Sequence, residues 1–282
     1  MARLLVVGGA GGVGSALVCQ RVASGDEVIA TVLNDAEAAT VASAHGGAVT
    51  TYLLDLAQPD RVVESVRALI AETGGLDAVA VCAAVSPYGP AETTPLNVYR
   101  TTFDINLLSA VAIYQAVMPA LRQSRGRIVF ISSMAGKAAM PFVGAYVASK
   151  FALEGLADVM RREAEPQGVH ISLIEPGGIR TPMMEDQLAS IDGRIAGLGE
   201  EERQRYGGLY RAFKALSSHA HANDASTAQE VAAVVATALD AELPDARYIV
   251  GGGAEQLIGM TRTLSDRELD GAFAQMFSPP VG

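Results

Sequence analysis

Cysteine is scarce in this chain of 282 residues. The two cysteines, Cys19 and Cys82, are too few for a disulfide framework, and both stand among apolar residues. We therefore expect two buried thiols in a reducing compartment. Histidine and cysteine spacings typical of metal sites are also missing, since the neighbouring His219 and His221 have no further ligand nearby. No metal is predicted.

Basic residues and long apolar runs are in short supply as well. The chain has 21 lysines and arginines against 31 aspartates and glutamates, a net charge of −10. Nucleic acids and anionic membranes bind basic surfaces, so neither is an expected partner. No stretch approaches the roughly 20 apolar residues of a membrane-spanning helix, and the apolar run at the N-terminus is too short for a signal peptide. The protein is expected to be soluble and cytoplasmic.

Short apolar segments alternate with segments of helical period over much of the chain. Apolar segments rich in Val, Ile or Leu suit strands that are buried on both faces. The predicted strands are 3–7, 27–33, 49–54, 77–83, 127–131 and 170–175, and the predicted helices are 12–24, 35–45, 59–73, 103–123 and 145–165. Such alternation predicts an α/β fold, a single doubly wound parallel sheet with helices on both faces.

The alternation loosens after Pro182. Residues 183–225 contain several glycines and a charged helical stretch, and we interpret them as a mobile helical insert that covers the substrate. A helix with a capping box at Thr227 and Glu230 follows, and then a last strand at 246–250. Residues 252–282 are predicted to form a helical C-terminal extension that frays at its end. The whole chain, 1–282, is expected to be one catalytic domain.

Five glycines lie between residues 8 and 14, where the first strand gives way to the first helix. Gly8, Gly12 and Gly14 have the spacing GxxxGxG. A tight turn of this kind brings its backbone close to a pyrophosphate, and the start of the helix offers free N–H groups and a favourable dipole. Dinucleotide binding is the favoured interpretation. A purely structural turn is the alternative, because these glycines fit several spacings.

Lysine is the scarcest charged residue, and two of the three lysines follow a tyrosine by four positions. On a helix this spacing places both side chains on one face, so either pair could react. Tyr146 and Lys150 follow a predicted strand that ends in two serines, and parallel sheets bind ligands at the carboxyl ends of their strands. Tyr210 and Lys214 lie in the charged insert. We assign the chemistry to the first pair and interpret the second as a surface coincidence.

The stretch from "GRIVFISS" to "EPGGIRTPM" resembles the catalytic core of the short-chain dehydrogenase/reductase family. Ser133 precedes Tyr146 by 13 positions, Lys150 follows by four, and Asn106 in "FDINLLSA" stands where the family has its fourth catalytic residue. The resemblance covers about residues 3–182 and is greatest to the hydroxysteroid and retinol dehydrogenase branch. It implies a Rossmann-type sheet and an NAD(P)-dependent alcohol dehydrogenase or ketoreductase.

The resemblance gives each of these residues a role. Tyr146 would be the acid/base group; the pKa of a free tyrosine is about 10, and the Lys150 ammonium is expected to lower it. Lys150 would also hold the nicotinamide ribose. Ser133 would donate a hydrogen bond to the substrate oxygen, and Asn106 would hold a water in a proton relay.

The resemblance also implies which residues bind the cofactor. They are Gly8, Gly11, Gly12, Val13, Gly14, Leu33, Asp55, Leu56, Ala83, Ala84, Tyr146, Lys150, Pro176, Gly177, Ile179 and Thr181. Asp55 would accept a hydrogen bond from adenine, although it could instead be an acid at the start of a helix. The second strand ends in Val32 and Leu33, with neither an acid for a ribose hydroxyl nor an arginine for a 2′-phosphate. Because an unpaired buried phosphate is costly, NAD is weakly favoured over NADP, with Asp35 able to swing in.

Two segments depart from the family pattern. Val7 replaces the threonine of TGxxxGxG, so the turn is expected to lack one side-chain hydrogen bond. Residues 81–84 read VCAA where the family reads NNAG, which removes a polar tie at Val81 and adds a methyl group at Ala84. The VCAA change favours, as an alternative, a catalytically idle dinucleotide sensor that regulates a partner, whereas the intact set of Ser133, Tyr146, Lys150 and Asn106 opposes it. A nucleotide-sugar epimerase is disfavoured by the glycine spacing.

Apolar side chains flank the predicted site. Met134, Met140, Phe142 and Met183 are the predicted substrate contacts, since flexible methionines adapt to bulky apolar ligands; core packing is the alternative for each. The predicted substrate is a small hydrophobic secondary alcohol or ketone. Because the helices near 103–123 and 145–165 are apolar on more than one face, a homodimer or homotetramer is expected.

Overall fold

Seven parallel strands form the central sheet in the computed structural model, which describes residues 2–277. The strands of the chain are β1 (Arg3–Val7), β2 (Glu27–Val32), β3 (Val49–Leu53), β4 (Ala78–Val81), β5 (Arg127–Ile131), β6 (His170–Pro176), β7 (Ile179–Arg180), β8 (Ser226–Thr227) and β9 (Arg247–Val250). The sheet has the order β3-β2-β1-β4-β5-β6-β9, and β7 pairs separately with β8. The predicted α/β class with its doubly wound parallel sheet is confirmed.

Helices cover both faces of the sheet. They are α1 (Gly12–Ala23), α2 (Asp35–His45), α3 (Pro59–Thr73), α4 (Leu96–Phe103), α5 (Ser109–Ser124), α6 (Gly144–Ala164), α7 (Pro182–Ala196), α8 (Glu200–Asn223), α9 (Ala228–Asp240), α10 (Gly252–Thr263) and α11 (Asp266–Met276). One hydrophobic core joins α3, α5 and α6 to the sheet. A second core joins α1, α2 and α9 to the opposite face. Burial on both faces explains why the strands are almost continuously apolar.

The helix predicted at 103–123 begins earlier than its sequence pattern indicates. It starts at Leu96, and α4, a π-helical segment (Asp104–Leu108) and α5 continue one another. The first turns, LNVYRTTF, are rich in polar residues, so the apolar run marks only the later part of the helix. Together they make a helix of 29 residues, the one helix among residues 2–277 that by length and composition alone could cross a bilayer. Its most apolar window is 56% buried within the protein, as in a core helix.

The two cysteines do not share one environment. Cys19 is exposed on α1, so the expectation of two buried thiols is wrong for this residue. The core-facing side of α1 is taken by residues such as Leu17 and Val18, which leaves Cys19 on the outer side. Cys82 is half-buried just after β4, where burial raises the pKa of its thiol to about 12 against the opposing effect of Lys150.

The predicted insert consists mainly of α7 and α8. Tyr210 on α8 is fully buried, contrary to its interpretation as a surface residue, because its ring packs edge-on against Phe142 with centroids 4.7 Å apart. Lys214 is exposed and pairs with Asp192 at 2.5 Å. The predicted capping box at the start of α9 is confirmed. The C-terminal extension contains α10 and α11, and its predicted frayed end, 278–282, lies outside the described residues.

Candidate active site

A cavity of about 570 Å³ opens at the carboxyl ends of the strands. It is lined by the turns that follow β1, β2, β4, β5 and β6, and by the start of α7. The strand order reverses between β1 and β4, which is where doubly wound sheets leave a crevice for ligands. The cavity therefore lies at the topological switch point of the sheet, where doubly wound folds bind their ligands.

The cavity brings together nearly all the residues predicted to bind a cofactor or react. Every predicted cofactor-binding residue lines it, from Gly8 in the first turn to Thr181 before α7. Ser133 lines it too, beside Tyr146 and Lys150. Asn106 is the exception among the predicted catalytic residues, since it is buried behind the cavity wall.

The glycine turn is crowded on every side. A methyl group on Gly8, whose φ is +82°, would lie 2.7 Å from the Ala83 Cβ, and one on Gly12 would lie 2.5 Å from the Thr181 Cγ2. A methyl group on Gly14 would overlap the Gly8 carbonyl oxygen. Glycine at these positions lets the turn fold tightly under the cavity and keeps the cavity floor open.

A hydroxyl from the neighbouring strand supports this turn. The Gly8 N–H donates a hydrogen bond to Thr31 Oγ1 at 3.2 Å. The departure at Val7 was expected to leave the turn one side-chain hydrogen bond short, but Thr31 on β2 provides such a bond. A single hydroxyl in the otherwise apolar stretch "VIATV" was the signal in the sequence.

The start of α1 has the properties of an anion site. Among the described residues, no side chain caps its first turn, and the turn contains no acidic residue. The N–H groups of the first turn of a helix have no partner within the helix, and the dipole is positive there. Because Gly12, Val13 and Gly14 line the cavity, the residues present fit a dinucleotide whose phosphates lie at this end.

Tyr146 and Lys150 lie one turn apart on α6 and meet Ser133 in the cavity. The Lys150 Nζ is 5.7 Å from the centroid of the Tyr146 ring and donates to the Ile131 carbonyl at 2.7 Å. Ser133 follows β5 and caps the short 3₁₀ turn Met134–Gly136. Its hydroxyl is close enough to the Tyr146 phenol to lower the pKa of that phenol. The arrangement groups a phenol, a hydroxyl and an amine at one place.

Burial dominates the protonation of this group. It lowers the pKa of Lys150 to about 8, although the charge of Glu154 opposes that fall. Burial also raises the pKa of Tyr146, with the Ser133 hydroxyl opposing the rise. The net shift of the Tyr146 pKa is therefore upward, opposite to the lowering expected from the Lys150 ammonium. The loss of water around the phenolate outweighs the favourable neighbours.

Asn106 uses its side chain to hold a neighbouring segment. Its Oδ1 accepts from the Val85 N–H at 2.9 Å, while its Nδ2 donates to the Val85 carbonyl at 2.9 Å and to Ser149 Oγ at 3.0 Å. Both amide hydrogens are thus in use. Asn106 therefore ties the segment after β4 to the π-helical segment and to α6.

The VCAA segment is held to the sheet by its backbone. The N–H groups of Cys82 and Ala83 donate to the Val7 carbonyl at 2.9 and 3.2 Å. Val81 is buried in β4, and Ala84 lines the cavity. Together with the two hydrogen bonds to Asn106, these contacts replace the polar tie that the family pattern led us to expect at residue 81.

The predicted substrate contacts divide between the cavity and the core. Met183 lines the cavity, whereas Met134, Met140 and Phe142 do not. Phe142 instead stacks on Phe213 of α8, with ring centroids 5.5 Å apart, and it is buried. The apolar side chains after β5 are therefore largely occupied in joining the insert to the domain.

An acidic residue missed by the sequence analysis lies where the second strand ends. Glu37 lines the cavity, and its carboxylate accepts a hydrogen bond from the Leu33 N–H at 2.8 Å. Asn34 caps α2 by accepting from the Glu37 N–H. Asp35, which was expected to swing in, is not a lining residue. The signal was the spacing of Asn34 and Glu37, which is typical of a helix start.

Asp55 lies at the cavity and at the turn into α3. It lines the cavity beside Leu56. Its Oδ1 accepts from the Ala57 N–H at 2.9 Å and its Oδ2 from Gln58 Nε2 at 2.7 Å, just before α3. The carboxylate therefore also shapes the turn into the helix.

Comparison with known proteins agrees with the geometry. The family model described as short chain dehydrogenase matches residues 2–192, more than half of the chain. The chain belongs to this family of oxidoreductases. Its predicted resemblance is confirmed, including its likeness to hydroxysteroid and retinol dehydrogenases.

Several curated relatives are about one third identical to the chain over the part that aligns. Human 17-beta-hydroxysteroid dehydrogenase type 1 is 32% identical over 75% of this chain and 63% of its own length. The 2,5-dichloro-2,5-cyclohexadiene-1,4-diol dehydrogenase of Sphingobium indicum is 34% identical over 64% of this chain and 74% of its own. The 3-amino-tetrahydro-pyrrolizinone reductase of Xenorhabdus hominickii is 30% identical, and the chain spans 60% of that protein's length.

Solved structures show the same fold over nearly the whole chain. A short-chain dehydrogenase from Streptomyces avermitilis superposes with a TM-score of 0.78 at 24% identity, covering 98% of this chain and 94% of its own. A short chain dehydrogenase from Burkholderia cenocepacia, solved in complex with NADP, gives 0.73 at 19% identity, covering 99% and 98%. At these identities the likeness extends to the fold alone.

The glycine turn makes a prediction about stability. We expect Gly14→Ala to destabilise the protein by about 1–3 kcal/mol, because the added methyl group must displace the Gly8 carbonyl. Gly47→Ala is the control, since a methyl group there meets nothing within 4 Å. The control should stay within about 0.5 kcal/mol of the native protein. Urea unfolding measures both, and equal midpoints for the two variants would contradict the crowding.

Proposed function

We propose that this protein is an NAD(P)-dependent oxidoreductase that interconverts a hydrophobic secondary alcohol and its ketone in the cytoplasm. The observation that carries the proposal is the meeting of Ser133, Tyr146 and Lys150 in one cavity. The glycine turn lies in the same cavity, so the reacting groups and the dinucleotide cradle share one space. The family membership of the chain supports an oxidoreductase.

The dinucleotide would lie along the carboxyl ends of β1, β2 and β4. The glycine turn and the start of α1 would hold its phosphates, and Asp55 its adenine. Lys150 would hold the ribose next to the nicotinamide, and the backbone at 176–181 the nicotinamide amide. The bound nicotinamide would supply or accept the hydride. The NADP in the Burkholderia cenocepacia structure supports a cofactor of this class.

Tyr146 would move the proton. Its raised pKa keeps the phenol protonated at neutral pH, as ketone reduction requires of an acid. Lys150, with a pKa of about 8, is then mainly an ammonium. Its positive charge would favour the phenolate as the proton leaves. Ser133 would donate a hydrogen bond to the substrate oxygen as charge develops on it. With both its amide hydrogens in use, Asn106 would take part in a relay only through its remaining atoms.

The substrate proposal rests on the cavity wall and on the relatives. Val85, Pro182 and Met183 line the cavity with apolar surface. The names of the matching human and Sphingobium indicum proteins identify a hydroxysteroid and a cyclohexadiene diol as what those enzymes act on. A cyclic, largely apolar alcohol or ketone is therefore the substrate class that we propose.

NAD is the cofactor that the position of Glu37 favours. A carboxylate at the end of β2 can accept hydrogen bonds from ribose hydroxyls, whereas it repels a 2′-phosphate. Glu37 lines the cavity next to Leu33, the residue at that end of the sheet. This gives the weak preference from sequence a structural basis.

The first test is turnover. The native protein should oxidise or reduce members of a panel of cyclic alcohols and ketones, followed by absorbance at 340 nm. Tyr146→Phe should lower turnover by at least about 100-fold because it removes the proton donor. Tyr210→Phe is the matched control, since Tyr210 also precedes a lysine by four positions but is buried in the insert, and it should keep native turnover. Turnover surviving in Tyr146→Phe refutes the mechanism, and an inactive native protein favours the dinucleotide sensor.

The cofactor preference has its own test. Calorimetry should show tighter binding of NAD than of NADP. Glu37→Gln keeps an acceptor for the Leu33 N–H but removes the charge, so it should raise NADP affinity relative to NAD at least about tenfold. Asp35→Asn removes a charge from the same helix turn outside the cavity and should leave the ratio unchanged. Equal ratios in the two variants would count against a role for Glu37.

We also propose a homodimer or homotetramer formed through the α5 and α6 region. Leu108, Phe151 and Val159 are exposed there, at 44%, 43% and 47%. Light scattering should give a multiple of the chain mass of 29.2 kDa. Val159→Glu should shift the protein towards the monomer, because a charge in an apolar interface is costly. A monomeric native protein at micromolar concentration would reject this assembly.

A further inference from the structure

A buried cluster of charged residues lies behind the reacting groups. It consists of Ser132, Lys137, Glu154, Glu175 and Arg247, which we call the Glu154 cluster. Glu154 is 4% exposed and Glu175 is fully buried. Charged residues are seldom buried unless paired, and the reaction proposed above uses none of these five side chains.

Glu154 is the hub of this cluster. Its carboxylate accepts a hydrogen bond from the Ser132 hydroxyl. It also pairs with Lys137 Nζ at 2.7 Å and with Arg247 Nε at 2.9 Å. These partners come from the segment after β5 and from β9, whereas Glu154 itself lies on α6. One side chain thus joins three separate parts of the chain.

Glu175 is the second carboxylate of the cluster, and it is less well paired than Glu154. It faces the same two cations, Arg247 at 3.2 Å and Lys137 at 3.7 Å, but its oxygens accept no hydrogen bond from any described residue. Burial, and then the neighbouring charge of Glu154, raise the pKa of Glu175. Removing Glu154 would therefore leave the two cations facing Glu175, a poorly solvated carboxyl group.

We infer that Glu154 is a positioning residue that clamps the segment carrying Ser133 against the helix carrying Tyr146 and Lys150. The inference rests on the function proposed above. Ser132 directly precedes Ser133, and Lys137 ends the same short segment. Glu154 follows Lys150 by four positions, one helical turn. Glu154 thus acts on both sides of the reacting group, although it is not itself a lining residue of the cavity.

Close packing shows that the segment has little freedom while the clamp is in place. A methyl group on Gly136 would lie 2.9 Å from the Glu154 Cγ and 2.9 Å from the Ser132 Oγ. The segment therefore lies flat against α6 at this point. Since misplacement of a reacting group by about 1 Å can cost on the order of 100-fold in rate, a loosened Ser133 should be visible in kcat.

The charge of Glu154 has a second effect, on Lys150. Two charged or titratable groups act on this lysine, Glu154 on its own helix and Cys82 after β4, and both raise its pKa against burial. Glu154 is itself faced by Lys137, Arg247 and Glu175. A neutral residue at 154 should therefore let the pKa of Lys150 fall. Because ketone reduction would need the ammonium, activity would then be lost at a lower pH than in the native protein.

The test is Glu154→Gln, which keeps the size and an acceptor for Ser132 but removes the charge. Asp158→Asn is the matched control: Asp158 lies one turn further along α6 and also pairs with Arg247, at 3.0 Å, without reaching the segment after β5. We expect kcat for ketone reduction to fall roughly ten- to 100-fold in Glu154→Gln. The alkaline limb of its pH profile should move to lower pH, with cofactor affinity unchanged. Asp158→Asn should resemble the native protein.

Hydrogen exchange of the amides at 134–138 provides a readout without turnover. It should quicken in Glu154→Gln and not in Asp158→Asn. Should Glu154→Gln fail to fold, Lys137→Gln decides the matter, because Lys137 is partly exposed and its loss removes one arm of the clamp. Native kcat, pH profile and exchange in the folded variant overturn the inference. An inactive native protein would contradict the proposed function instead. The hydrogen-exchange rates would still show whether Glu154 holds the segment in place.

Discussion

The removal of one lysine from water is the constraint on which the site depends. Lys150 is almost wholly buried, and its Nζ is held by the Ile131 carbonyl. Burial brings the pKa of its ammonium to about 8, near the pH at which a proton shuttle is most useful. The same lack of water keeps the Tyr146 phenol protonated. The sheet and α6 bury the Lys150 amine and so lower its pKa, while the charge of Glu154 limits that fall.

Much of the fold could be predicted because the strands are buried on both faces. Strand boundaries at residues such as Arg127 and His170 follow directly from short Val- and Ile-rich runs. The start of the helix at Leu96 could not be predicted, since its polar first turns lie outside the apolar run. The burial of Tyr210 also escaped the sequence, because only the fold shows which face of α8 meets Phe142.

The candidate site was predictable where residue identity alone limits the chemistry. Glycine at 8 and 14 is required by the space around the turn, and the serine, tyrosine and lysine of the core have the groups that the proposed proton transfer would use. The supporting contacts were not: Thr31, Glu37 and the Glu154 cluster act through partners that are distant in sequence. The predicted direction of the Tyr146 pKa shift was wrong for a related reason. The spacing in the sequence reveals a neighbouring charge, but it does not reveal how much water burial removes.

The aromatic contact between Phe142 and the insert bears on how this protein could be redesigned. Phe142 adopts a φ of +74°, a strained backbone for a residue with a side chain, just ahead of α6. Its ring rests on Phe213 and Tyr210. Replacing α7 and α8 with the corresponding segment of another protein would remove that support and loosen the start of α6, the helix that carries Tyr146. A redesign of the insert would therefore have to exchange residue 142 together with α7 and α8.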